Sequence, residues 1–214
     1  MIALKVHSDK RFIPCGSPNI SGAEEKAVID VLRSGWLGNG SIARSFEDEF
    51  IESLGVKGIY GVAVNSCTTG LILSLRAEGI GIEDEVITTP LTFAATVNAI
   101  LSVGAKPVFV DVTNEGLINP SEISKAITSK TKAIIPVHLH GSPCDMDRIM
   151  QISSKHNLIV IEDAAHAFGG SYKNVPCAIP HKQNVDLANE ICDKFMQMWE
   201  SEASRWAMLL SLLP

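Results

Sequence analysis

Residues 158–170 read LIVIEDAAHAFGG, an apolar run that ends in two carboxylates and continues into small residues, one histidine and two glycines. A continuous apolar run of this length is typical of a parallel strand buried on both faces. Open α/β sheets bind ligands at the carboxyl ends of such strands. The stretch therefore predicts that Asp163 lies at a ligand site, whereas Glu162 points to the opposite face of the strand.

The sequence before this stretch alternates between strand and helix patterns from residue 20 to residue 173. Apolar, strand-like runs occur at 59–64, 86–89, 107–111, 133–137 and 158–162, and helical patterns lie between them at 68–78, 93–103, 121–128 and 145–156. Two more helices come first, one with Ser21 and Glu24 at capping-box spacing and one through Phe46, Phe50 and Leu54. This alternation predicts an α/β fold in which helices cover both faces of a mainly parallel sheet.

Composition narrows the classes of partner. The 214 residues are 46% hydrophobic and 20% charged, which is typical of a globular protein. The net charge of -6 argues against nucleic acid or an anionic membrane as a partner. The five cysteines form no CxxC pair, and their odd number favours a reducing compartment over a disulfide framework. We therefore expect a cytoplasmic protein that has no membrane partner.

Three positions at predicted strand ends could bind a ligand. The segment NSCTTG at 65–70 opens a helix, where hydroxyls and free N–H groups either bind a phosphate or form an ordinary N-cap. Phe93 could stack on a flat ring, although an aromatic residue at helical spacing more often lies in the core. Asp163 needs a partner if it is buried, and a protonated pyridine nitrogen and a metal ion are both candidates.

The histidines and Trp36 give weaker signals. His138 and His140 would share one face of a strand and could suggest zinc, but no third ligand follows at a suitable spacing, so we expect no metal site. His166 could contact a ligand or be a satisfied polar core residue. Trp36, in a glycine-flanked loop, could serve packing or substrate contact equally well.

Five motifs, in order along the chain, together resemble the DegT/DnrJ/EryC1/StrS aminotransferases. They are SGWLGNG at 34–40, VNSCTTGL at 64–71, TPLTFAAT at 89–96, VHLHG at 137–141 and VIEDAAHA at 160–167. The resemblance extends over about residues 12–173. It implies part of the large domain of the aspartate aminotransferase-like fold (fold type I) and pyridoxal 5'-phosphate (PLP) as cofactor. It also implies a homodimer that moves an amino group, usually from glutamate, to a nucleotide-linked keto sugar.

The same resemblance implies roles for individual residues. Thr68 and Thr69 would hold the cofactor phosphate, and Phe93 would stack on the pyridine ring. Asp163 would pair with the ring nitrogen, and His166 would lie beside the ring hydroxyl. Trp36 would help to shape the mouth of the substrate site.

The sequence departs from the family after residue 173. Family members continue with a Ser-x-x-x-Lys stretch followed by Gly-Glu-Gly-Gly, and that lysine forms the Schiff base with PLP. These 214 residues contain no such motif, and Lys182 and Lys194 have different neighbours. We therefore assign no catalytic residue and expect no covalent attachment of PLP.

This departure predicts a division into the N-terminal part of the large domain, 1–173, and a divergent tail, 174–214. The tail would be a loop followed by an amphipathic helix with an apolar stripe at Leu187, Ile191, Phe195 and Trp199. We expect a truncated family member that lacks the C-terminal domain and is inactive alone. Three alternatives are a non-catalytic partner of a full-length relative, a sugar dehydratase-like relative and a generic nucleotide-binding domain. The last lacks GxGxxG and GxxxxGK[ST] loops.

Overall fold

The computed structural model of the chain describes residues 18–177. These residues belong to two compact units, which are divided between Ala43 and Arg44. The predicted tail helix, Lys182 and Lys194 lie outside the described residues. Each unit is described below by itself.

The first unit contains helix α1 (Gly22–Ser34) and the start of helix α2 (Ser41–Ser53). The capping box predicted at Ser21 and Glu24 is confirmed. The Ser21 side chain accepts a hydrogen bond from the backbone N–H of Glu24, and the Glu24 side chain accepts one from the backbone N–H of Ser21. Helix α1 ends at Gly35, whose φ of 72° is a left-handed conformation that glycine adopts without steric cost.

The second unit is built on a four-stranded parallel sheet. In chain order its elements are α3 (Cys67–Ala77), β1 (Glu85–Thr88), α4 (Ala94–Ser102), β2 (Lys106–Phe109), α5 (Pro120–Ala126), β3 (Thr131–Ile134), α6 (Met146–His156) and β4 (Ile159–Val160). The spatial order of the strands is β2-β1-β3-β4. A short antiparallel hairpin of β5 (Ser171–Tyr172) and β6 (Val175–Pro176) follows the sheet. The predicted alternation of strands and helices is thus confirmed from α3 onward.

Two apolar clusters cover the two faces of this sheet. One contains Val86 and Ala133 together with residues of α3 and α4, such as Leu75 and Ile100. The other contains Ile87 and Ile134 together with residues of α5 and α6, namely Ile123, Met146 and Ile149. Neighbouring residues of a strand, such as Val86 and Ile87, point to opposite faces of the sheet. Because both faces are covered, both residues are apolar. The prediction of a sheet covered on both sides is therefore confirmed.

The strand predicted at 59–64 is wrong. These residues form no strand in the structure, and the backbone N–H of Ala63 donates to Oε1 of Glu47 at 2.7 Å. A strand requires a neighbouring strand to satisfy its backbone groups. Within residues 18–177, none of the four parallel strands pairs with this segment. The apolar pattern alone could not supply that neighbour.

Two findings concern membrane insertion and the state of the cysteines. None of the helices in the described range combines the length and the apolar character that crossing a bilayer requires. Cys67, Cys144 and Cys177 are free thiols. The cytoplasmic location remains a prediction.

Candidate functional site

A cavity of about 180 Å³ lies in the second unit, at the carboxyl ends of the strands. It is lined by the N-terminal turn of α3, the segment 92–95 before and within α4, and the segments that follow β3 and β4. Loops after neighbouring parallel strands meet at one edge of a sheet, which is where open α/β sheets bind ligands. The cavity brings together four of the predicted site residues, namely Thr68, Phe93, Asp163 and His166.

The backbone of Asp163 is fixed by the segment that follows β3. The N–H of Asp163 donates to the carbonyl oxygen of Pro136 at 2.9 Å, and its carbonyl oxygen accepts from the N–H of His138 at 3.0 Å. These two bonds continue the parallel pairing of β3 and β4 beyond the regular strands. The Asp163 side chain is therefore held at the cavity wall by the sheet itself.

The carboxylate of Asp163 is buried, with 6% of the residue exposed, and its partners are neutral. Oδ2 accepts from the Thr96 hydroxyl at 2.6 Å, and Oδ1 accepts from the N–H of Ala165 at 3.3 Å. In the part of the chain that the structure describes, no lysine, arginine or histidine forms an ion pair with it. A buried negative charge is costly without a partner. The geometry therefore favours a cationic group in the cavity.

Cys67 is the third neighbour of this carboxylate. Its Sγ lies 3.7 Å from Oδ1 of Asp163. Partial burial of the sulfur, followed by the negative charge of Asp163, raises the pKa of the Cys67 thiol to about 11. The thiol is therefore protonated near neutral pH and acts as a weak donor to Asp163 rather than as a nucleophile.

The N-terminus of α3 forms another wall. Ser66 caps the helix, since its hydroxyl accepts from the N–H of Thr69 at 3.2 Å. The Thr69 hydroxyl donates to Oδ1 of Asn65 at 2.6 Å. The first N–H groups of a helix have no intrahelical acceptor, so those of Cys67 and Thr68, which both line the cavity, remain available for an anion. Thr68 lines the cavity, whereas the hydroxyl of Thr69 belongs to the cap.

Phe93 and His166 border the cavity as exposed rings. Phe93 is the N-cap residue of α4 and is 76% exposed, so it is not a core residue. His166 stacks on His140, with ring centroids 5.8 Å apart and an interplanar angle of 5°. Trp36 lies in the first unit, where its Nε1 donates to the carbonyl oxygen of Asn39 at 3.2 Å.

The expectation that His138 and His140 share a strand face is wrong. Strand β3 ends at Ile134, and His140 lies in a 3₁₀ turn, Leu139–Gly141, with a φ of 54°. The turn sends the two rings to different partners. Among the described residues, no group of three histidine, cysteine, aspartate or glutamate side chains is placed to hold a metal ion.

His138 instead forms a buried pair with Glu162, which the sequence analysis missed. Its Nδ1 accepts from the N–H of Cys144 at 3.0 Å, so the ring proton lies on Nε2, which donates to Oε2 of Glu162 at 2.7 Å. The Cys144 thiol donates to the carbonyl oxygen of Val137 at 3.2 Å. Burial raises the pKa of the Cys144 thiol to about 12. Glu162 and Asp163 thus have separate partners, as their alternation along a strand predicts.

The contact between Thr96 and Asp163 was also missed. The residues are 67 positions apart, and only the fold brings them together. One sequence signal could have indicated this contact. Thr96 follows Phe93, the N-cap of α4, by three residues, so both residues lie on the same side of the first helical turn.

Comparison with known proteins establishes the family. The sequence profile of the DegT/DnrJ/EryC1/StrS aminotransferase family matches residues 18–185. The chain belongs to this family. The family recognised from the five motifs is therefore confirmed, and the match continues past residue 173 to residue 185.

Individual relatives agree with this assignment. The spore coat polysaccharide biosynthesis protein SpsC of Bacillus subtilis is 47% identical over 169 residues, which are 78% of this chain and 43% of SpsC. The solved aminotransferase from Psychrobacter cryohalolentis is 45% identical with a TM-score of 0.69, over 73% of this chain and 40% of that one. A Streptococcus pneumoniae protein named as a sugar aminotransferase, in its PLP form, is 35% identical with a TM-score of 0.73, over 77% and 46%.

These matches also establish the fold. The α/β unit is that of the PLP-dependent aminotransferases, as the sequence predicted. The chain spans less than half the length of the relatives named here.

Proposed function

We propose that this chain forms the cofactor-binding part of a PLP-dependent aminotransferase that acts on a nucleotide-linked keto sugar in polysaccharide biosynthesis, with glutamate as amino donor. The observation that carries the proposal is the buried Asp163 carboxylate, which lines a cavity and whose donors among residues 18–177 are neutral. A protonated pyridine nitrogen is the cation that fits such a group. The names of the relatives support the reaction class and the sugar substrate.

The residues around the cavity fit the other parts of the cofactor. The available N–H groups at the start of α3 and the Thr68 hydroxyl would bind its phosphate, with Thr69 supporting this turn. The exposed ring of Phe93 would cover the pyridine ring, and His166 would lie beside the ring hydroxyl. When bound, PLP supplies the electron sink for amino transfer. The protein's part is to hold the ring and to keep a proton on its nitrogen by means of Asp163.

The lysine that bonds to PLP in the family has no counterpart among these 214 residues. We therefore assign no catalytic residue and propose that these 214 residues bind PLP reversibly and do not transfer amino groups alone. We also propose that Trp36 contacts the substrate. The same proposal includes the association of two subunits into a homodimer.

A binding titration tests the proposal. The purified chain is titrated with PLP and with pyridoxamine phosphate (PMP), and binding is followed by the absorbance and fluorescence of the ligand. We expect saturable binding of both, and Asp163→Asn should weaken it by about tenfold because a charge-assisted hydrogen bond is lost. Borohydride treatment of the PLP complex should leave no cofactor attached to a lysine.

Asp30→Asn is the matched control. It removes the same charge from a side chain that is 51% exposed in the first unit, so it should leave both affinities unchanged. Failure of the wild-type chain to bind either compound would refute the proposed function. Equal affinities for wild type and Asp163→Asn would refute the role of Asp163.

A further inference from the structure

Two threonines of the α4 region form a chain of hydroxyls that ends on Asp163. The Thr96 residue is fully buried, and its Oγ1 donates to Oδ2 of Asp163 at 2.6 Å. The Oγ1 atoms of Thr92 and Thr96 are 2.8 Å apart. A hydroxyl has one proton to donate. Since Thr96 gives that proton to Asp163, Thr92 donates to Thr96, and the chain runs in one direction.

The two oxygens of the Asp163 carboxylate consequently have unequal surroundings. Oδ2 has a short bond to a buried hydroxyl, which neither solvent nor a ligand can easily replace. Within the described part of the chain, the contacts of Oδ1 are longer, at 3.3 Å to the N–H of Ala165 and at 3.7 Å to the sulfur of Cys67. Both contacts to Oδ1 are long, and a thiol is a weak donor, so a strong donor in the cavity can replace them at Oδ1 more easily than it can replace the Thr96 hydroxyl at Oδ2.

We propose, on the basis of the proposed function, that Thr96 is a positioning residue that fixes the rotation of the Asp163 carboxylate, with Thr92 as its support. Anchoring Oδ2 turns Oδ1 to the cavity, where it accepts the N–H of the pyridine ring. Thr96 does not line the cavity, so it acts only through Asp163. Groups that are oriented before the ligand arrives bind more tightly, because less rotational freedom is lost on binding.

The test compares two probes that differ at one ring atom. The first probe is PMP, and the second is the PMP analogue in which carbon replaces the ring nitrogen. Thr96→Val keeps the shape of the side chain but removes the hydroxyl. We expect it to weaken binding of PMP by about fivefold, the cost of immobilising one side chain on binding, and to leave binding of the carbon analogue unchanged. Thr96→Ser restores the hydroxyl and should recover most of the PMP affinity.

Thr88→Val is the matched control. Thr88 is also fully buried, but its hydroxyl donates to the carbonyl oxygen of Ile135 at 2.9 Å instead of to Asp163. The control should lower stability without changing the ratio of the two probe affinities.

The other outcomes overturn the inference in distinguishable ways. If Thr96→Val weakens both probes equally, or neither, or if Thr96→Ser fails to restore the difference, Thr96 has only a structural role. If the wild-type chain binds both probes with equal affinity, Asp163 does not contact the ring nitrogen. If the wild-type chain binds neither, the proposed function itself fails, and the positioning role fails with it.

Discussion

Glu162 and Asp163 are neighbours in the chain, yet they belong to two different polar clusters. In the closed cluster, formed by Glu162, His138 and Cys144, the two nitrogens of the imidazole are both occupied by protein groups. In the open cluster, formed by Asp163, Thr96 and Cys67, the carboxylate has neutral donors and borders the cavity. A satisfied cluster serves stability, whereas an incomplete one at a cavity wall is suited to a ligand.

The largest expected effect is the loss of stability when the closed cluster is broken. His138→Ala removes the donor to Oε2 of Glu162, whose side chain is only 10% exposed, and the acceptor of the N–H of Cys144. We expect the free energy of unfolding to fall by about 3 kcal/mol, since buried polar groups that lose a partner are costly. Urea denaturation followed by circular dichroism measures it.

His156→Ala is the control for this variant. His156 is exposed at the end of α6, so its replacement should change the free energy of unfolding by less than about 0.5 kcal/mol. A comparably small change for His138→Ala would mean that water replaces the imidazole and that the cluster is not closed.

The second prediction concerns the thiols of the two clusters. The negative charge of Asp163 helps to raise the pKa of Cys67 to about 11, so Asp163→Asn should lower that pKa. The thiolate fraction at pH 8 then rises, and alkylation of Cys67 should accelerate by about threefold, because the gain in thiolate exceeds the loss of nucleophilicity. Peptide mapping by mass spectrometry after iodoacetamide pulses distinguishes the cysteines.

Cys144 provides the internal comparison in the same experiment. Its pKa of about 12 results mainly from burial, and Asp163 does not contribute to it. Its slow alkylation should therefore be the same in both proteins.

Both raised pKa values also mean that the folded chain keeps thiol protons that the unfolded chain loses. Their contribution to stability is thus complete below about pH 9, the ordinary thiol pKa, and falls as the pH rises toward 11 and 12. In the alkylation experiment, equal acceleration of Cys67 and Cys144 in Asp163→Asn would show that the substitution loosens the whole fold.

The smallest predicted effect is a difference in stability between variants of two adjacent threonines, Thr68 and Thr69. Thr69→Ala removes the hydroxyl that donates to Asn65, next to the cap of α3, and should lower the free energy of unfolding by about 0.5 kcal/mol. Thr68 lines the cavity, and Thr68→Ala should leave stability unchanged and weaken PLP binding instead. Thermal unfolding with and without PLP distinguishes the two. A larger loss of stability for Thr68→Ala would contradict this division of roles.

Patterns of local residues were sufficient to predict most of the second unit. Apolar runs identified β1 to β4, and Asp163, which the motif after β4 predicted to lie at a ligand site, lines the cavity. The strand predicted at 59–64 failed because a strand depends on a neighbour that no local pattern supplies. His140 was misjudged because a short turn with a positive φ separates it from His138.

The sequence by itself determined the alternation of strands and helices, the family, and the placement of Asp163 after the last parallel strand. Periodicity, capping residues and motif spacing are local properties that the chain carries in any conformation. Only the tertiary structure decided which carboxylate oxygen is anchored by Thr96, and which histidine pairs with Glu162. These contacts join residues 67 and 24 positions apart, so they exist only once the sheet has aligned the ends of its strands.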